Sequence, residues 1–268
     1  MSGLGREVRA ELLKFVTTRL WWGMAIAVVV TAAAFAVIFG IILNSEAFTQ
    51  GQGGAPLGDA TQVANSVYSA GLGVGYLLLL TIGVMQIGSE YRHMTITSTF
   101  LATPHRARVM AAKVIALLVI GAAYGVLSLA GSVTAGAITL KAQGLAAFPS
   151  AEVYRTIALS LLVLGLWALI GLGIGILIPH QVAALLIGVG VAWIVEPVLV
   201  FGLSFWTFAR EHIVRFFPSE ATNAVVNAVQ NSPDSVRLSW WAGALVLAGY
   251  AAVLAGLGTL RVLRQDVS

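Results

Sequence analysis

Polar and charged residues withdraw from long stretches of this chain and return in short clusters between them. Six stretches, residues 21–43, 67–88, 109–140, 157–178, 182–203 and 240–260, are almost wholly apolar. A helix needs roughly 20 apolar residues to cross a bilayer core about 30 Å thick, and each stretch meets that length. None has the alternating ten-residue pattern of a barrel strand. The pattern therefore predicts an all-α integral membrane protein, one transmembrane domain over residues 1–268 with six transmembrane helices.

The segments between the spans carry their own patterns. Over residues 5–20, Val8, Leu12, Val16 and Leu20 recur every four positions, opposite Arg6, Glu7, Arg9, Lys14 and Thr17. That spacing predicts an amphipathic helix lying in the headgroup layer, with Arg6, Arg9 and Lys14 toward water; a plain basic juxtamembrane anchor has the same composition. Residues 44–65 are rich in Gly, Gln and Ser and read as a flexible loop. Over residues 206–232, aromatic and charged positions alternate up to Pro218, and Ser219 is placed to cap a helix with Ala221, Val225 and Ala228 on one stripe. Short external helices dipping into the membrane, or an interfacial aromatic belt, both fit this segment.

Composition narrows the class further. Charged residues make up 10% and apolar ones 59% of the 268 positions, and the mean hydropathy is +0.92. Soluble domains average about 25% charged residues, so a soluble enzyme, a nucleic-acid module and a disordered linker are excluded. The excess of positive charge is only +4 and is dispersed. With both termini in the cytoplasm, ten of the fifteen Lys and Arg residues fall on that side and five outside. The bias toward cytoplasmic positive charge selects this topology, and a multi-pass location in a bacterial cell membrane goes with it. The chain has no Cys, and therefore no thiol chemistry.

Most catalytic signatures are missing. No G-x-x-x-x-G-K-[ST] loop surrounds Lys14, Lys113 or Lys141, so the chain has no Walker-type ATP site. Gly71, Gly73 and Gly75, like the pairs Gly121/Gly125 and Gly171/Gly175, lie inside apolar spans and read as helix contact seams. The four histidines have no metal-ligand spacing, and no nucleophile elbow is present. The spans do not divide into two similar halves. The expectation is a protein that is not an enzyme, with no cofactor or metal of its own.

Two features remain. The first is the stretch over residues 89–108, between the second and third spans. Here Glu90, Arg92, Arg106, Arg108 and nearby Lys113 crowd together, and Thr95, Thr97, Thr99 and Thr103 can pin short turns. Pro104 stops a helix and redirects the chain. Ordinary positive-inside loop chemistry would give the same charges. The pattern Glu90-Tyr91-Arg92-His93-x-Thr95, followed by Thr103-Pro104-x-Arg106 and then Lys113 at the start of an apolar span, resembles the permeases of the ABC-2 type transporter family. Its spelling is similar to that of actinobacterial members. The motif covers about 25 residues and the layout the whole chain; Met94 departs from it, since the family often has Gly there.

The resemblance implies an amphipathic elbow helix, six spans, a cytoplasmic coupling helix between the second and third, and short external helices before the sixth. It also implies a permease that pairs with a second permease subunit, as a homodimer here, and with two copies of a separate ABC ATP-binding subunit that binds ATP and Mg. Glu90, Tyr91, Arg92, Thr95, Pro104, Arg106 and Lys113 would then serve the coupling to that subunit. The cargo expected from the apolar, aromatic spans is a hydrophobic or amphipathic drug, antibiotic, lipid or peptide, moved by efflux.

The second feature is Glu196-Pro197 within the fifth span. A charged group at that depth is costly, by about 2.5–3.5 kcal/mol on insertion scales, and must face the bundle, a seam or a cavity. A translocation path or gate contact and a packing carboxyl both fit. A proton-coupled secondary carrier using Glu196, or a membrane scaffold without transport, would need no ATPase. Glu196 and His180 are too far apart along one span to form a single enzyme site.

Overall fold

The computed structural model describes residues 3–43, 45, 59–95, 106–226 and 238–264. They fold into helices, and no strand occurs among the described residues. An amphipathic helix α1 (Gly3–Val16) precedes α2 (Leu20–Leu43), the first of six helices long and apolar enough to cross a membrane. The second span joins α3 (Ala60–Ser69) to α4 (Leu72–Arg92); the third is α5 (Arg106–Ala142) and the fourth α6 (Ala151–Leu177). The fifth joins α7 (Gln181–Gly190), a π-helical turn (Val191–Val195) and α8 (Glu196–Ser204). After α9 (Thr207–His212) and a 3₁₀ turn (Val214–Phe216), α10 (Pro218–Val226) precedes the sixth span, α11 (Trp240–Arg264).

The second and fourth spans form the centre of the bundle. They approach backbone to backbone, because a Cβ at Gly83 would collide with the Ala168 carbonyl and one at Gly171 with the Leu80 carbonyl. The expected seams at Gly121, Gly125 and Gly175 also meet neighbouring spans, whereas Gly73 faces open space. At Gly71 the second span changes direction, and a Cβ there would stand 2.5 Å from Ala32 Cα of the first span. The break lets α2 cross closely while α3 continues beyond it. The outer spans, first, fifth and sixth, bury far less of themselves and leave wide apolar faces, as helices facing lipid do.

Two helices end in the same way. After α5, Leu145 N–H bonds the Leu140 carbonyl and Gly144 N–H the Lys141 carbonyl, with Gly144 at φ 75°. After α4, Thr95 N–H bonds the Glu90 carbonyl and Met94 N–H the Tyr91 carbonyl, with Met94 at φ 55°. Both are Schellman stops, which require a left-handed residue and favour Gly. Met94 is the non-Gly residue that carries this conformation.

Three expectations need correction. The first helix spans 3–16 rather than 5–20, and its inward face centres on Glu11; Leu13 and Val16 are exposed. A salt-bridged carboxylate, not the Val8–Leu12–Val16 stripe alone, sets the helix rotation. Ser219 does not cap α10 from outside but lies in its first turn. Of the loop residues singled out, Thr97, Thr99, Thr103 and Pro104 lie outside the described residues, as do the flexible loop over 46–58, Ala228 and the rest of the external segment to 232.

Candidate functional site

The densest charge in the described bundle is buried at the end where both termini lie. Lys113, one turn into the third span, is fully buried, and Glu90 and Glu11 are about 5% and 6% exposed. Lys113 Nζ donates to Glu11 Oε2 at 2.9 Å and to Glu90 Oε1 at 2.8 Å. Lys14 Nζ donates to Glu11 Oε1 at 2.8 Å and to the same Glu90 Oε1 at 2.7 Å. Four side chains from α1, α4 and α5 thus form one neutral ring. Isolated, any of these charges would be prohibitive at such burial; paired and bonded, they lock three elements at fixed relative positions.

Local sequence explains the geometry. Glu11 and Lys14 are one helical turn apart on α1, so both reach the same side. Glu90 sits in the last turn of α4, and the Schellman stop bonds its own carbonyl. Lys113 enters α5 two turns after its start, and its carbonyl receives Gln86 Nε2 at 3.4 Å. Apolar packing reinforces the ring: the Phe15 ring stands edge-on to Tyr124 at 5.8 Å, and Tyr124 OH donates to the Trp21 carbonyl at 2.5 Å.

The electrostatics of α1 follow. Burial pushes the Glu11 carboxyl upward, but Lys113 and Lys14 outweigh it and hold the group below its ordinary value of 4.5. For Lys14, burial acts to lower the pKa, yet hydrogen bonds from Glu11 and Glu90 leave it above its ordinary 10.5. Both groups are therefore charged across the whole neutral range.

Around the ring, Arg92 and Thr95 are exposed and Tyr91 is half-buried. Arg106 begins α5. Arg6 and Arg9 lie on the outward face of α1. Of the residues picked out for the inner hairpin, Glu90 and Lys113 face inward, so only their neighbours offer a surface to another molecule. Glu11 escaped the sequence reading; its position three residues before Lys14 was the available signal.

A second polar group lies in the far half of the fifth span. Pro197 has no N–H, and the helix absorbs the lost bond through the π turn, in which Glu196 N–H reaches back to the Val191 carbonyl. Glu196 is 4% exposed, and its Oε1 accepts the Ser219 backbone N–H at 2.6 Å. That N–H belongs to the first turn of α10, where backbone donors have no helical partner. One turn further on, Thr222 Oγ1 accepts Trp167 Nε1 at 2.9 Å, and Trp167 stacks on Tyr76 at 4.2 Å. Trp167 lies ten residues, about 15 Å, from the end of α6. The short helix α10 therefore reaches the middle of the bundle.

His180 is elsewhere, accepting Ala183 N–H at the start of α7. Compared with known proteins, the chain matches no family model and no curated protein.

Proposed function

We propose that this chain is the membrane permease of an ATP-driven exporter, working as a pair with a second copy and driven by two separate ATP-binding subunits. Its cargo is hydrophobic or amphipathic, its termini are cytoplasmic, and the hairpin between the second and third spans is the element the motor grips. The resemblance of residues 90–113 to ABC-2 type permeases motivates the reading.

One observation carries it. A lever must be stiff, and the buried ring ties the amphipathic helix, the end of α4 and the start of α5 into one block. Force applied to the exposed side chains of Arg92 and Thr95 would pass into α4 and α5 together, with α1 carried along as the elbow. Glu196, tethering α10 in the far half, is the candidate path or gate contact.

The test is co-expression with the Walker-A protein encoded beside this chain, followed by reconstitution into vesicles. ATP-dependent movement of an amphipathic dye is expected, abolished by Arg92→Glu together with loss of co-purification. Cargo movement by the purified chain without an ATPase would refute the proposal, as would labelling that places Arg92 outside the cell. A second reading rests on the buried carboxyl itself: a carrier using Glu196 for protons would stop at once when the proton gradient is collapsed.

A further inference from the structure

Between α1, α4 and the start of α7 lies a cavity of about 230 Å³. Its wall is two-faced. Phe15, Leu20, Ile82 and Met85 supply apolar surface, while Gln86, Glu90 and Gln181 supply oxygen. Those oxygens are unusual. Glu90 Oε1 takes both lysines, whereas Oε2 is buried with no donor among the described residues. Gln86 Oε1 and Gln181 Oε1 are buried and unpartnered in the same way. Glu90 and Gln181 are themselves more than nine-tenths buried, and the Gln181 stem lies against Gly88, so close that a Cβ there would be 3.0 Å from Gln181 Cγ.

Buried acceptors without donors are a liability unless something donates to them. Three acceptors lining one cavity call for a group rich in N–H, and a carboxylate oxygen among them favours a cation. The ring of Glu11, Glu90, Lys14 and Lys113 is already neutral, so a bare cation would leave buried charge uncompensated. A zwitterion does not: its anionic part can lie by the half-exposed Lys14 and by Arg92 at the rim. The apolar wall asks for a hydrocarbon root on the same molecule. The level is that of the headgroups, since α1 ends at Val16 and the first span begins at Leu20.

We propose that this cavity binds the headgroup of an aminophospholipid, with its primary ammonium on Glu90 Oε2, Gln86 Oε1 and Gln181 Oε1 and its phosphate toward Lys14 and Arg92. The inference goes beyond the proposed transport cycle and needs only the bilayer, not the motor. A lipid seated here bridges α1, α4 and α7, and fastens the fifth span, which is otherwise sparsely packed, to the ionic block.

The experiment uses the full-length chain, purified without an ATPase and placed in nanodiscs holding equal amounts of phosphatidylethanolamine and its mono-, di- and trimethylated forms. Lipid retained after detergent washing is counted by mass spectrometry. Retention is expected to fall stepwise as methyl groups replace N–H donors, with at least about fivefold discrimination between the first and last, as the loss of hydrogen bonds to a charged partner predicts. Gln181→Leu, which keeps the bulk over Gly88, should reduce that ratio to near one. Equal retention of all four lipids by the wild-type chain would overturn the assignment, and that measurement stands even if the variant fails to fold. Displacement of the lipid by an equal concentration of soluble glycerophosphoethanolamine would overturn the part that requires a membrane-rooted guest. Failure of transport with full lipid discrimination would count against the exporter reading alone.

Discussion

Replacing Lys113 by Met is the sharpest perturbation of the buried ring. Met approximates the stem of Lys and fills the same space, so the change removes charge and donors with little change in packing. Lys113 Nζ makes two charge-assisted bonds, at 2.9 and 2.8 Å. Bonds to charged groups are worth about 1.5–3 kcal/mol each, and breaking a buried pair from one side costs about 3–5 kcal/mol. The upper part of that range applies, because Glu11 and Glu90 would keep only Lys14, whose side chain is 49% exposed. Unfolding in mixed micelles, followed by tryptophan fluorescence, measures the loss. Combining Lys113→Met with Glu11→Gln then isolates the contact: the double variant should be more stable than the sum of the singles predicts by about 1–3 kcal/mol, since the second change removes a charge the first has stranded. Additivity within about 0.5 kcal/mol, or a loss below that for Lys113→Met alone, would refute the reasoning.

The remaining predictions concern pH, the helix stop, the central seam and the far carboxyl. Glu11 is depressed below 4.5 in the folded chain, so its contribution is present above the ordinary carboxylate range and lost as pH falls through the folded value; Lys14 is raised above 10.5, so its contribution is present below that value and lost as pH rises through the folded one. Mobility of a spin label at Arg9 should therefore be flat between about 4.5 and 10.5 and rise outside that window; a step near neutrality would count against the ring. Met94→Gly should stabilise the chain by up to about 1 kcal/mol, because one residue held at left-handed φ costs about 1–2 kcal/mol and Gly gives part of that back as entropy; a lower melting temperature would contradict the assigned stop. Gly171→Ala should destabilise by about 1–3 kcal/mol through its collision with the Leu80 carbonyl, whereas Gly73→Ala, facing open space, should be neutral in the same assay. Glu196→Gln retains an acceptor for Ser219 N–H and should fold normally, while Glu196→Leu strands that donor at about 1–3 kcal/mol; unchanged transport in the Gln variant would remove Glu196 from the path.

The membrane layout was legible because hydropathy is a local property summed over about 20 residues, and each span from Leu20–Leu43 to Trp240–Arg261 is uniform enough to survive any tertiary detail. What escaped is pairwise. Nothing near Glu11 in the chain announces that Lys113, 102 positions away, will reach it. An inward rotation of α1 by a carboxylate therefore could not be read from apolar spacing, which treats Glu as solvent-facing. The break at Gly71 escaped for a similar reason, since its cause is the close crossing of Ala32 in another span. By contrast, Met94 was visible as a residue standing where Gly is usual, and the structure gives that oddity a backbone meaning at φ 55°.

The two polar centres divide the bundle into parts with different freedom. At the termini end, four charges join three elements, and none can move without exposing a partner's charge to an apolar wall. In the far half, α8 leaves apolar surface such as Val198, Leu199 and Phe201 exposed, and Glu196 is its buried residue. Its tie to α10 is a side chain bonded to a backbone N–H, and the helix beneath it is already loosened by a π turn. A bond of that kind can be exchanged for another donor at little net change, whereas the ring cannot be opened one member at a time. Movement driven from the termini end should then appear in the far half as displacement of α8 against α10, with α4 and α6 held together by their glycine contacts and the ring intact. A distance between labels at Phe201 and Phe208 that stays fixed, while labels across the ring separate, would reverse that assignment of rigid and mobile parts.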